Sequence, residues 1–509
     1  MLPAYTIENR ALIIWTINAT VVVVSMRFTG GQYQPLSEKQ VIRVHEASCT
    51  ILEDVGCSFE EQLRETADLL ARAGARVDND RRRITFPRDL VTEQAQKAPQ
   101  RVLLCGREAQ HDLELGGDRV HMGTGGAAIK ILDLQSGEVR PSTLRDLYLL
   151  GRLVDRLENI HFFLRPCLPL DIPERDYDEN IFYACFRATG KHVMGGVNDI
   201  EGFRKVLKMA SLLAGGDPQL AARPFFSVIT SFMISPLKLS TVPVGIMQEA
   251  CRHRIPVALS SAPAAGSTSP ITMAGTLVQL HAEELIGIAI AQLTNPGAPV
   301  LYGGIPGAAN LRTMGYIGGA VECAMMNAAV HQLARYIGVP NYNSSGLTDS
   351  KVPDVQAGWE KAISSALTAM AGSNFVHHAA GMLESMLAVS YEQFVIDDEI
   401  LGMCYRILDG IEVDGDQLAL QAIAEVGAGG TYMMCDHTLK HMHTAFFEGN
   451  GVSDRSIRDV WQKEGGADAR ERARKIARSL IEGNQKVYMA RKDDQALRKS
   501  YHILLNEDL

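Results

Sequence analysis

His377 and His378 stand side by side in the apolar run 374–385, NFVHHAAGMLES. An imidazole there offers a hydrogen-bond donor and acceptor, a base or a metal ligand. Successive strand residues point to opposite faces, so only one of the pair is expected to face a barrel axis. A buried histidine satisfied by a backbone carbonyl is the plainer alternative. The stretch 342–358, YNSSGLTDSKVPDVQAG, sets Asp349, Lys351 and Asp354 within six positions. They follow Ser344, Ser345 and Gly346, small residues that let a backbone come close to a ligand. Asp349 and Glu384 follow strand ends and suit a cationic ligand; a salt bridge or a loop cap is the other use of each. Tyr302, Phe232 and Tyr342 lie at or near strand ends, where an aromatic face attracts a cation. Core packing is the usual role of any one such ring.

Other chemistries find little support. No Ser-His-Asp signature, P-loop or metalloprotease motif occurs. His437, His441 and His443 have helical or near-helical spacing, but no metal site is expected there. The nine cysteines are scattered and form no CxxC, which speaks against a zinc knuckle or a thioredoxin-like centre. They fit small core residues in a reducing cytoplasm.

These residues need elements to position them, and a rhythm supplies those elements. Short apolar runs ending in small or polar residues occupy 120–128, 160–169, 191–198, 225–236, 255–270, 299–310, 339–350 and 374–385. Helical spacing follows each, over 143–157, 177–189, 200–213, 242–253, 276–293, 320–337, 356–370 and 391–408. Eight strand–helix units predict an α/β fold, a closed parallel (β/α)8 TIM barrel whose strand ends converge on one mouth. An open doubly wound sheet would carry a phosphate-gripping GxGxxG after its first strand, and Gly123-Thr124-Gly125-Gly126 matches that only loosely.

The spacing divides the chain into an N-terminal α/β elaboration (26–119), the barrel (120–410) and a C-terminal helical extension (411–509). In the first, helices are expected over 37–55, 59–73 and 87–97, with a strand at 83–86. In the last, residues 416–425 and 454–489 look helical, the tail packing on the barrel's outside. Residues 11–25, ALIIWTINATVVVVS, are apolar but too short to span a bilayer. A translation start at Met26, with 1–25 outside the mature fold, is the preferred expectation, and a weak membrane anchor is the alternative. A net charge of −9 over 509 residues, with no basic stripe beyond a turn at Arg81, Arg82 and Arg83, excludes a nucleic-acid footprint. No membrane partner is expected either.

From about Ser37 to the C-terminal region the chain resembles the trimethylamine methyltransferase superfamily of corrinoid-dependent methyltransferases. The resemblance is carried by GTGGAAIKILD (123–133), SPITMAGTLVQLHAEELIGIAIAQLTNPGAPVLYG (269–303), TDSKVPDVQAG (348–358) and SYEQFVIDDEI (390–400). It implies a (β/α)8 barrel in the cytoplasm that passes a methyl group from a methylated amine to the Co(I) of a separate, cognate corrinoid (cobalamin) protein. It also makes a homo-oligomer the expectation. Trimethylamine-specific members carry pyrrolysine in the loop before the Asp-x-Lys-x-Pro-Asp run, and that position falls on Leu347. The segment 374–386 is similar to the non-pyrrolysine branch, which includes glycine betaine methyltransferase.

Chemistry agrees with that branch. A quaternary ammonium leaves as a neutral tertiary amine, so no protein acid need protonate it; positioning and exclusion of water remain as the enzyme's work. Tyr302, Phe232, Leu347, Asp349 and Glu384 are then expected around the cation, and His377 or His378 with backbone N–H groups around a carboxylate. Gly123, Thr124, Gly125 and Gly126 would admit the corrinoid. Trimethylamine or another methylamine as the substrate, a betaine-binding barrel without transfer, and transfer to a pterin near Asn198 and Asp199 are the alternatives.

Overall fold

The structure, a computed structural model, describes residues 28–313, 315–483 and 486–507, with two short strands, Ile14–Ile17 and Thr20–Val23, paired ahead of them. The reading of residues 1–25 otherwise lies outside the described residues. Among those described, no helix is long and apolar enough to cross a membrane.

Eight strands form the centre: β1 (His121–Thr124), β2 (Phe162–Leu164), β3 (His192–Gly195), β4 (Phe226–Thr230), β5 (Val257–Ser261), β6 (Val300–Gly304), β7 (Tyr342–Ser344) and β8 (Phe375–Ala380). β2 to β6 pair in parallel in chain order, as do β7, β8 and β1. Two hydrogen bonds join these arcs into a ring. Tyr302 N donates to Pro340 O (2.9 Å), tying β6 to β7, and His161 N donates to Met122 O (2.8 Å), tying β1 to β2. The fold is a parallel (β/α)8 barrel.

Eight helices alternate with the strands: α1 (Leu144–Asp155), α2 (Tyr177–Ala188), α3 (Ile200–Ala214), α4 (Thr241–Arg252), α5 (Met273–Thr294), α6 (Val321–Tyr336), α7 (Val355–Ala371) and α8 (Tyr391–Asp409). Side chains with an oxygen one residue ahead set several starts, because they satisfy orphan N–H groups of the first turn. Thr143, Asp199, Thr272, Asp354 and Ser390 do this for α1, α3, α5, α7 and α8. Asp354 is thereby taken up as a cap.

The barrel interior is packed. Phe162, Leu164, Met194, Ala258, Leu301, Tyr342 and Phe375 share one core cluster, and Phe162 and Phe375 stack with ring centres 3.6 Å apart. An antiparallel hairpin, Val102–Leu104 with Leu113–Leu115, adds four apolar side chains to that cluster. Gly123 belongs here: a Cβ on it would lie 2.6 Å from the Phe162 ring, so β1 approaches β2 only because the side chain is missing.

The flanking parts differ from expectation in three places. The helix expected from residue 59 starts at Arg64, after a 3-10 turn, because Cys57–Ser58 pairs as a strand and the Glu60 carboxylate turns to Thr241. The helix expected over 416–425 runs Leu420–Val426, since Ala419 is left-handed (φ 49°) and Asp416 is engaged elsewhere. The tail is broken at Gly465 and Gly466, both at positive φ, into Arg458–Lys463 and Ala469–Glu482, and a further helix, Arg491–Ser500, follows. Ala469–Glu482 lies on α8 and α1, where Arg474 reaches the buried Glu392 carboxylate at 2.8 Å.

Candidate active site

The strand ends open into a cavity of about 510 Å3 whose walls include Gly126, Leu164, Arg165, Gly196, Thr230, Ser260, Tyr342, His377, His378, Ser385 and Met386. Its position follows from the barrel: it sits at the C-terminal ends of the strands, where side chains from separate strands converge. No Asp or Glu is among the described residues lining it.

Both histidines reach this cavity, which corrects the expectation that only one could. Alternation fails because β8 loses register with β1 between Val376 and Ala380, and His378 adopts a left-handed backbone (φ 64°). His377 stacks on Tyr342 (ring centres 4.2 Å) with Nδ1 3.2 Å from the phenol oxygen. His378 Nδ1 lies 2.8 Å from Ser344 Oγ. Burial, with its neighbour's imidazole beside it, holds His377 well below the usual imidazole range; burial and nearby Lys361 bring His378 down to about 3. Both rings are therefore neutral at physiological pH.

Among the described residues, three buried polar atoms on the cavity wall have no partner: Arg165 Nη1, Thr230 Oγ1 and His377 Nε2. Arg165 was not singled out from the sequence. Its signal was a lone cation closing the apolar run HFFLR at the end of β2. Among the described residues no carboxylate lies within ion-pairing distance of it; Asp178 is near enough to feel its charge but accepts from Asn198 N at 2.9 Å. Two further residues at the mouth, Ser385 (φ 51°) and Met386 (φ 80°), are left-handed. Ser385 is fixed by its N–H to Thr348 O (2.8 Å) and by its hydroxyl, which donates to Asp349. Beneath them Lys361, fully buried, donates to Gly346 O and Met382 O and pairs with buried Asp397 at 3.1 Å, while Asp397 accepts from Gly381 N.

The remaining expected residues sit elsewhere. Tyr302 is buried on the helix side of β6, its hydroxyl 2.8 Å from His281 Nδ1, because Leu301 takes the inward position. Phe232 packs against Gly287 of α5, where a Cβ would meet its ring at 2.6 Å. Glu384 pairs with Lys130 at 3.5 Å rather than facing the cavity. Asp349 accepts from Gly318 N (2.9 Å) and from Ser385, so it acts as a brace, while Lys351 turns to the Asp349 carbonyl. Leu347 is buried beside Gly318 and does not line the cavity, an apolar side chain preferring cover to the wet mouth. Thr124 donates to Leu164 O (2.6 Å) inside the ring, and Gly125 lies against His377. Of residues 123–126 only Gly126 lines the cavity. Away from the barrel, His437 and His441 come together with Asp416, and His443 stays out of that cluster.

A family model described as "Trimethylamine methyltransferase (MTTB)" matches residues 16–503. The chain belongs to the trimethylamine methyltransferase family. Trimethylamine methyltransferase MttB of Desulfitobacterium hafniense (strain DSM 10664 / DCB-2) is 36% identical over 90% of this chain and 91% of its own length. Glycine betaine methyltransferase of Desulfitobacterium hafniense (strain Y51) is 34% identical over 85% and 89%. The crystal structure of the Methanosarcina barkeri monomethylamine methyltransferase superposes with a TM-score of 0.43 at 12% identity, covering 90% of this chain and 96% of that one. The chain is thus a member of a family of methyltransferases, and two relatives of nearly equal identity act, by their names, on different amines.

Proposed function

We propose that this methyltransferase takes its methyl group from a betaine, glycine betaine being favoured, and passes it to a corrinoid carried by a separate protein. One observation carries the reading: the mouth holds an arginine with a free donor and lines no acid. A simple methylated amine is a cation near neutral pH; it would add a like charge beside Arg165 and leave its free donor unanswered. A betaine brings its own carboxylate, which Arg165 Nη1, Thr230 and the neutral His377 are placed to receive as charge-assisted hydrogen bonds. Its trimethylammonium end meets no like charge from the neutral rings of Tyr342, His377 and His378.

The chain's own work is orientation. A cavity of about 510 Å3 lies in the usual range for a small-molecule site and has ample room for a betaine. No side chain at the mouth is set to protonate a leaving amine, since the histidines are neutral and carboxylates are not among the lining residues. None is needed when the amine departs neutral. Gly126, Ala127 and Gly196 on the wall are small enough to let a partner-borne group approach. The corrinoid supplies a cobalt nucleophile that accepts the methyl group. Purified protein is mixed with reduced cobalamin and glycine betaine, proline betaine, carnitine or trimethylamine, and methylcobalamin is followed by absorbance. Turnover of a betaine is expected; turnover of trimethylamine alone would sink the proposal.

A further inference from the structure

We propose that Asp416, His437 and His441 form a zinc site in the C-terminal extension, outside the barrel. His437 and His441 are four residues apart on the helix Asp436–His441, so their rings share one face, with centres 4.5 Å apart. Asp416 comes from the loop that precedes Leu420–Val426. One ligand atom from each residue falls within 4.8 Å of the others, and His441 Nε2 is 3.0 Å from Asp416 Oδ2. Ligands of tetrahedral zinc, at bonds of about 2.0–2.1 Å, stand about 3.3–3.4 Å apart, so small rotamer shifts bring the three around one ion. Two imidazoles and a carboxylate suit a borderline cation such as zinc better than calcium or magnesium, which prefer oxygen alone. Three protein ligands leave a fourth position for water.

The same atoms also serve as an ion-pair knot, because Lys440 Nζ sits 2.6 Å from the same Asp416 oxygen. That ammonium is on an exposed side chain and swings away at little cost. A metal would clip together two points of the segment 416–437, which presents Tyr432, Met433 and Met434 to solvent. Ordering that segment is the site's physical consequence.

The full-length protein, stripped with a chelator and dialysed, is titrated with zinc chloride in competition with a chromophoric chelator. One equivalent is expected to bind, and the His437→Ala/His441→Ala variant to lose it. Lys440→Ala is expected to tighten zinc by up to about tenfold, because a like charge is removed from beside the ion; an ion-pair knot predicts no such gain. Zinc should also slow proteolysis of residues 411–450 in the wild type and not in the double variant. Equal zinc uptake by wild type and double variant, or no uptake by the wild type, overturns the assignment.

Discussion

Arg165→Met removes the proposed carboxylate anchor and leaves the volume of the mouth nearly unchanged. The guanidinium is half-buried and its Nη1 has no protein partner, so its bond to substrate replaces little within the protein. A hydrogen bond to a charged group in such a setting contributes about 1.5–3 kcal/mol. At about 1.4 kcal/mol per decade that is roughly a 10- to 150-fold loss in kcat/KM. The carboxylate is held alike before and during methyl transfer, so the loss should fall on KM and leave kcat nearly intact. Choline supplies the control: it shares the trimethylammonium group and lacks the carboxylate. Wild type should prefer glycine betaine over choline by about that factor, and Arg165→Met should erase the preference. Burial raises the Asp178 carboxyl to about 6 even though Arg165 nearby favours its ionised form. The variant's melting curve and an Arg165→Lys partner therefore accompany the kinetics. Unchanged KM for betaine in a folded Arg165→Met, or equal losses for betaine and choline, refutes the anchor.

Two further outcomes concern the scaffold. Burial lowers the imidazole pKa of His121 and His192 to about 4 and of His281 and His378 to about 3, and holds His377 well below its usual range. Unfolding frees each to take up a proton near 6.5, so the unfolded chain binds more protons below that pH and stability falls as pH drops through 6.5 toward 3–4. Each histidine contributes up to about 1.4 kcal/mol per pH unit in that window; thermal melts from pH 7 to pH 5 should show a steep fall in Tm, and a flat profile contradicts the assigned burial. Lys361→Met strands the buried Asp397 and should destabilise by about 3–5 kcal/mol, while Lys361→Met with Asp397→Leu should recover much of that; chemical denaturation distinguishes the two, and a single-variant loss below about 1 kcal/mol would show the pair to be idle.

The ring of eight strands was legible because its signal is local. Each strand is a short apolar run ending in small residues, and each helix is announced by periodicity and often by a capping Thr, Asp or Ser. What the runs do not carry is parity. A strand of a parallel barrel is buried on both faces, so VLYGG at 300–304 is apolar on each side and does not say which way Tyr302 points. The structure turns Leu301 inward and Tyr302 toward His281 on α5, and a proposed cation-holding ring becomes part of the packing between β6 and its helices. Charge left a choice open: Asp349 and Glu384 suited a cationic ligand, a salt bridge or a cap, and their partners, Ser385 and Lys130, meet them only through tertiary contacts. Asp416 and His437 are likewise joined across a distance no spacing rule reaches.

The residues that build the mouth are those where regular backbone geometry gives way. His378, Ser385 and Met386 all line the cavity and all have positive φ. A non-glycine residue in that region carries a conformational cost that persists only where surrounding contacts over-determine it. Here those contacts are visible: Ser344 on His378, Thr348 and Asp349 on Ser385, and Lys361 with Asp397 on the backbone at Gly346, Gly381 and Met382. Strand alternation would have sent His378 into the wall; the left-handed turn brings it out beside His377, and two neutral rings then face the space assigned to the proposed betaine. A mouth built this way does its chemistry by placement. With a betaine as the proposed substrate, the departing amine needs no proton, the cation meets uncharged rings, and Arg165 would fix which end of the substrate points inward.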